Sequence, residues 1–198
     1  MPQVRQQAGP RTGDALIVVD VQNDFLPGGA LAVPEGDAVV PVINCYLALF
    51  TASGLPIFAT CDWHPADHCS FIAQGGTWPP HCVQGTHGAE FAPGLELPVS
   101  ACHVAKAIGT ESDSYSGFEG TDLATDLRTA GAERLFIGGL ATDYCVLNTV
   151  LDARHEGFAV CLLLDAIRAV EVTPGDGEAA IARMTEAGAT PVTLEMLA

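Results

Sequence analysis

The chain predicts an α/β fold: a single doubly wound, mainly parallel six-stranded sheet with helices on both faces. Three observations carry that expectation. Short continuous apolar runs, such as ALIVVD (15–20) and AVCLLLD (159–165), have the length and composition of central parallel strands, which are covered on both sides. Between such runs lie segments whose apolar residues recur with a helical period. The two kinds of segment alternate along the chain, which implies right-handed crossovers between parallel neighbours.

Taken in order, a polar stretch, 1–14, reads as a flexible tail, and the first strand covers 15–20. VQNDFLPGGALAVPEG follows as a long loop. Asp37 is placed to cap a helix carrying Val39, Val40, Ile43, Tyr46, Leu47 and Phe50, which ends near Gly54. LPIFATCD (55–62) is the second strand. Residues 63–100 are rich in Pro, Gly and His and show no period; so long an irregular connection in a compact domain usually carries function. CHVAKA (102–107) is a third strand, and Thr121 caps a helix through Leu123, Leu127 and Ala130 that ends at Gly131. The run Leu135-Phe136-Ile137 stops at Gly138-Gly139. Thr142 and Asp143, good N-cap residues, then open a helix carrying Cys145, Val146, Val150, Leu151 and Ala153. A fifth strand (159–165), a helix (175–187) and a sixth, edge strand (190–194) complete the series. No internal repeat, low-complexity segment or linker interrupts 15–198, which reads as one domain.

Composition narrows the function. With 198 residues and 48% hydrophobic content, the chain can bury one core and not comfortably two. A net charge of −16 argues against nucleic acid or an anionic membrane surface as partner, because both need clustered basic residues. Seven of the eight basic residues are arginine and the one lysine is Lys106, which directs attention to chemistry a guanidinium cannot perform. The seven cysteines include no CxxC pair, and the first residues lack the apolar stretch of a signal peptide. No run approaches the roughly 20 apolar residues needed to span a bilayer. A reducing cytoplasm is expected, with most cysteines acting as small core residues.

In an open α/β sheet, ligands bind beyond the carboxyl ends of the strands. Those ends carry, in order, Asp20, then Asp62 with His64, then Lys106, and Cys145 just past the fourth strand. The fold therefore brings an acid, a pair of metal-ligand types, a lysine and a thiol to one edge. Cys145 in the first turn of a helix lies where unpaired N–H groups favour a thiolate, although a small buried apolar role is equally open. Asp20 could serve as a general base toward that thiol, or simply cap a loop. Lys106 could hold the Asp20 carboxylate, stabilise negative charge, or sit at the surface. Asp62, His64 and His81 together suit Zn²⁺, Fe²⁺ or Mn²⁺, with His68 and Ser70 near enough in sequence to complete or support the shell; histidines that merely brace the loop are the alternative. Phe25 and Trp78 lie in loops over this edge and could wall a flat aromatic substrate or pack the loops down.

The segments DVQNDFLPGGALAVPEGD, CDWHPADH, WPPHCVQGTHGAEF, Lys106 followed by DSYSGFEG, and GLATDYCVLNTVLDA closely resemble the nicotinamidase/pyrazinamidase branch of the isochorismatase-like cysteine hydrolases. The resemblance spans about 15–165. It implies a catalytic triad of Asp20, Lys106 and Cys145, and one divalent metal ion held by Asp62, His64 and His81 with water completing the shell. It also implies that the metal engages the pyridine nitrogen of nicotinamide. Phe25 and Trp78 match ring-stacking positions, and Tyr115, Leu140, Ala141 and Tyr144 match the substrate pocket. The Leu140–Ala141 bond matches one that is cis in relatives, an arrangement that would aim N–H groups at an oxyanion. His68 occupies the place of an extra histidine in bacterial forms with a short metal segment, and Ala107 stands where glycine is common.

The resemblance further implies hydrolysis of nicotinamide to nicotinate and ammonia through a thioester on Cys145, serving NAD salvage, with pyrazinamide also accepted. The N–H groups of Ala141 and Cys145 would hold the oxyanion, each such donor being worth ~3 kcal/mol. Competing expectations are a sibling amidohydrolase of N-carbamoyl or ureido compounds with the same triad, and a non-catalytic ligand-binding relative. The subunit state is expected to be monomer or homodimer.

Overall fold

A computed structural model describes residues 9–197 of the chain. Six strands, β1 (Asp14–Val19), β2 (Ile57–Asp62), β3 (Cys102–Lys106), β4 (Arg134–Leu140), β5 (Ala159–Arg168) and β6 (Thr190–Val192), form one sheet in the order β3-β2-β1-β4-β5-β6. Every neighbouring pair is parallel, so among the described residues the sheet is wholly rather than mainly parallel. Chain order reverses on either side of β1, which makes the gap between the ends of β1 and β4 the topological switch point.

β1 is apolar after its first residue because it is covered on both faces. Leu16 and Val18 pack with α1 (Val39–Ala52), whose Ile43, Tyr46, Leu47 and Phe50 form one helical stripe against the sheet. Ala15, Ile17 and Val19 point the other way, toward α2 (Leu123–Thr129), α3 (Leu147–His155) and α4 (Asp176–Glu186). That second face is filled by Leu127, Val150, Ala153 and Met184, all fully buried.

Several boundaries differ from the sequence reading, each for a local reason. Residues 1–8 of the expected flexible tail lie outside the described residues. Asp14, assigned to that tail, instead opens β1, buried and held in a bidentate pair by Arg134 Nε (2.8 Å) and Nη2 (2.7 Å). Asp37 does not cap α1: it lies in a short 3₁₀ turn, and the helix has no side-chain cap. Thr121 is not the cap of α2 either: that position is Asp122, and Thr121, one residue earlier, only accepts the Leu123 amide on Oγ1 at 3.2 Å.

β4 does not stop at Gly138. It continues to Leu140 with a register shift against β5, which itself runs three residues beyond Asp165 to follow it. Gly139, at φ +131°, makes this possible, because a Cβ there would lie 2.0 Å from the Val19 carbonyl oxygen. Thr142 and Asp143 do not cap the next helix either; Thr142–Val146 is a single π turn that leads into α3.

The connection 63–100 has no regular element beyond two 3₁₀ turns, Ile72–Gln74 and His87–Ala89. Isolated bridges pin it instead: His64 to Val83, Phe71 to Trp78, and Phe91 to Gln22 in the loop after β1. Among the described residues, no helix is long and apolar enough to cross a membrane.

Candidate active site

Four adjacent strands deliver four side chains to one point. β3 ends at Lys106 and β2 at Asp62, which are register partners; β1 is followed by Asp20, and β4 leads through Leu140 and Ala141 to Cys145. The Leu140–Ala141 peptide bond is cis. Asp20 adopts a left-handed conformation, φ 49°, that turns the chain at the end of β1.

Lys106 is the hub. Its side chain is fully buried, with Nζ 3.0 Å from Asp20 Oδ2 and 3.5 Å from Cys145 Sγ. It also donates to Asp62 Oδ1 and to the Ser114 carbonyl at 3.2 Å. The strand-end surface lysine left open by the sequence is thus excluded. Burial alone would discharge the amine, but the two carboxylates outweigh it and hold Lys106 protonated well above the ordinary lysine range.

One ammonium cannot fully satisfy two buried carboxylates, and they diverge. Burial opposes the Asp62 charge, yet Lys106 and His64 more than offset it, so Asp62 stays well below the usual carboxylate range. For Asp20, burial wins over Lys106 and is reinforced by the Asp62 charge, so its pKa is raised. Thr60 Oγ1 donates to Asp20 Oδ1 at 2.6 Å, while Oδ2 is buried and receives no directed hydrogen bond despite its ionic contact with Lys106. Oδ2 is therefore free to take up a proton.

The Cys145 thiol is close by: its Sγ and carboxylate oxygens of Asp20 and Asp62 all lie within 4.8 Å of one another. Burial, only partly opposed by Lys106 and reinforced by both aspartates, pushes the Cys145 thiol well above its ordinary range. This corrects the expectation that the helix terminus favours a thiolate. Desolvation and two neighbouring negative charges exceed what one helix end can supply.

A second donor set shares Asp62. Single ligand atoms of Asp62, His64 and His81 lie within 4.8 Å of one another, and all three residues are buried. His64 Nδ1 contacts the Ala107 carbonyl at 3.2 Å and His81 Nδ1 the Pro79 carbonyl at 2.8 Å. A carbonyl can only accept, so each Nδ1 carries the hydrogen and each Nε2 keeps a lone pair for an ion. Burial also pushes the His81 pKa down, which keeps that ring neutral. Two imidazoles and a charged carboxylate, buried and convergent, fit a divalent transition metal.

His68 stacks on His64 with ring centroids 4.2 Å apart, but its own nitrogens are engaged. Nε2 faces the Ser112 carbonyl at 3.2 Å, and Nδ1 accepts from Ser70 Oγ at 2.8 Å. Here Ser70 holds the His68 ring that stacks on His64, and both His68 nitrogens are engaged.

Above these groups is an aromatic slot. Its floor is Asp62, His81 and Cys145; its aromatic walls are Trp78, Tyr115 and Tyr144, which pack on one another, and Phe25, whose ring lies 5.7 Å from that of His81. Trp78 Nε1 donates to the Tyr115 hydroxyl at 2.9 Å, and the Tyr144 ring meets both, with centroids 5.1 and 5.5 Å away. Ala141 lines the slot, whereas Leu140 is wholly buried behind it.

Sequence reasoning missed Leu31 and Val170, which also line the slot, and two polar supports. Thr60 left a faint signal as a lone hydroxyl in an apolar strand. Gln22 left none. Its side chain clamps the backbone of Asp62, accepting from the Asp62 amide and donating to its carbonyl, both at 2.8 Å.

A buried thiol beside a carboxylate and an ammonium, at the switch point of a parallel sheet, places the protein in the class of α/β cysteine hydrolases. The chain belongs to the isochorismatase family: residues 14–196 match the Isochorismatase domain. It is 41% identical over 201 residues to the nicotinamidase of Escherichia coli strain K12, covering 91% of this chain and 94% of that one. The pyrazinamidase of Pyrococcus horikoshii, solved in complex with zinc, superposes with a TM-score of 0.89 at 50% identity, over 92% of this chain and 99% of that one. An L. infantum protein solved in complex with nicotinate follows at a TM-score of 0.86 and 39% identity, over 97% and 98% of the two chains. The branch that the motifs resemble is thus the branch of these relatives.

Proposed function

We infer that the protein is a metal-dependent nicotinamidase that hydrolyses nicotinamide to nicotinate and ammonia through a thioester on Cys145, and that it accepts pyrazinamide. The observation that carries this reading is the sharing of one slot by two chemistries: the thiol–carboxylate–ammonium group and the Asp62/His64/His81 donor set meet at Asp62, under a cage shaped for a flat ring.

The resting state pairs a protonated thiol with an Asp20 carboxylate. Asp20 Oδ2 takes the proton from Cys145 Sγ as the sulfur adds to the amide carbonyl. Lys106, fixed between both acids, offsets the charge that remains. The N–H groups of Ala141 and Cys145 receive the oxyanion. When the intermediate collapses, the C–N bond breaks, Asp20 returns its proton to the leaving nitrogen, and ammonia departs. Asp20 then removes a proton from water as it adds to the thioester, and the proton goes back to sulfur as nicotinate is released.

Asp62, His64 and His81 would hold the divalent ion, Zn²⁺, Fe²⁺ or Mn²⁺, which when bound supplies a Lewis-acid anchor for the ring nitrogen. Phe25 and Trp78 flank the ring. We place the reaction in NAD salvage in the cytoplasm, with the described segment from Asp14 onward working as a single domain.

The test is ammonia release from nicotinamide before and after chelation, and after metal is restored. Activity that falls on chelation and returns with metal is expected. Activity indifferent to chelation would instead favour a carbamoyl-amide substrate for the same thiol, and no ammonia under any condition would refute the reading.

A further inference from the structure

Two carboxylates stand beside the slot without entering it, and each immediately precedes one of its aromatic walls: Asp24 before Phe25, and Asp143 before Tyr144. Both spend their oxygens on backbone amides: Asp143 on a distant segment, Asp24 on one distant amide and one in its own loop. Asp143 Oδ1 accepts from the Val170 amide at 2.9 Å and Oδ2 from the Glu171 amide at 3.0 Å. Val170 is part of the slot, on the segment between β5 and α4. Glu171, in a left-handed conformation at φ 57°, passes the tie onward by accepting from the Gly175 and Gly177 amides at the start of α4.

Asp24 does the corresponding work for other lining segments. Its Oδ1 accepts from the Ala30 amide at 3.1 Å, its Oδ2 from the Cys82 amide at 2.7 Å, and its carbonyl from the Leu31 amide at 2.9 Å. Leu31 lines the slot, and Cys82 follows His81. Space for the carboxylate depends on Gly88, whose absent Cβ would lie 2.1 Å from Asp24 Oδ2.

We propose that Asp143 and Asp24 are paired positioning residues. By clamping the Val170 segment and the Leu31 and His81 segments respectively, they fix the width of the slot and so set substrate affinity and ring selectivity. Neither reaches the reacting atoms. A carboxylate that accepts two N–H groups makes charge-assisted bonds, the strong kind, which suits it to holding an irregular segment in one place.

This inference rests on the substrate reading above, and its test separates the two. Asp143→Ala is expected to raise KM for nicotinamide about ten-fold with kcat nearly unchanged, since an interaction equally present in bound substrate and transition state changes KM alone. It should also narrow the preference for nicotinamide over a ring-methylated nicotinamide. Because Asp143 acts through Val170, the same substitution in a Val170→Ala background should add little. A fall in kcat with KM unchanged, or full additivity in the double variant, would overturn the proposal. Asp24→Ala should raise KM and also weaken zinc retention in equilibrium dialysis, whereas Asp143→Ala should leave zinc retention intact; equal losses would refute the division of roles.

Hydrogen exchange reads the clamps without any substrate. The amides of Val170 and Glu171 should lose protection in Asp143→Ala, and those of Ala30 and Cys82 in Asp24→Ala. Retained protection removes the clamps even if the enzyme is a nicotinamidase. Lost protection in a chain that releases no ammonia would keep the clamps and sink only the substrate.

Discussion

The floor of the site and its walls are built on different principles. Asp62 of the floor, and Asp20 and Lys106 beneath it, stand at or just past the ends of adjacent strands, where the Asp62–Lys106 register and burial fix them. The walls, Phe25, Trp78, Tyr115 and Tyr144, come from loops and short 3₁₀ or π turns outside the sheet ladder. They are held by single bridges, by one indole–hydroxyl bond, and by carboxylates that collect stray amides. The floor therefore governs chemistry and stability together, while the walls govern affinity at little cost to the fold.

The largest effect that follows is at the thiol. Cys145→Ala should reduce turnover by at least about a thousand-fold, since no other group can form the thioester, while nicotinamide still binds in calorimetry. An alanine variant with substantial ammonia release would show that the floor does not govern chemistry.

Next in size is Lys106→Ala, which strands two buried carboxylates. A loss of about 3–5 kcal/mol in urea unfolding of the metal-free protein is expected, as for any buried pair broken on one side. The sign with pH is fixed by Asp62. Its folded pKa lies below its unfolded value, so the stability it contributes is present above the ordinary carboxylate range and disappears as pH falls through the depressed folded value. The penalty of Lys106→Ala should accordingly shrink in acid, where both carboxylates take up protons. A penalty independent of pH would remove the ion-pair explanation.

A subtler probe is Thr60→Val. Its hydroxyl lowers the Asp20 pKa, so its loss should raise that pKa further. Because Asp20 must be unprotonated to accept the thiol proton, the acid limb of kcat/KM, measured at saturating metal, should move to higher pH. Movement to lower pH would contradict the assignment of Asp20 as base.

The smallest effect belongs to the walls. Tyr115→Phe leaves the Trp78 indole N–H without its partner and should raise KM about three-fold, with stability and kcat little changed. A large drop in kcat would mean that wall and floor are not separable in this way.

The sequence went far toward the floor because its rules are local and periodic. An apolar strand followed by a polar residue places that residue at the carboxyl edge, and parallel strands share one edge, so the pattern alone gathers Asp20, Asp62, Lys106 and Cys145. Turn chemistry was less legible. Asp143 has every feature of an N-cap, yet its carboxylate serves the Val170 and Glu171 amides, 27 and 28 residues away, and no local rule reports a distant claim on a side chain. The glycine pair in β4 looked like a strand end. It is instead where the strand passes so near Val19 that a side chain would collide.

The sequence by itself determined the strand and helix alternation, the edge at which chemistry collects, and the residue types that gather there. Tertiary structure alone decided the protonation states and the partners: that Lys106 serves Asp62 as well as Asp20, that Cys145 rests as a thiol, that His68 is turned to Ser70 and Ser112, and that Gln22 and Thr60 hold the two carboxylate segments. The reason is physical. Periodicity is inherited from the backbone and can be read one residue at a time, whereas desolvation and Coulomb interactions depend on every charge within several ångströms, most of them brought there from remote parts of the chain.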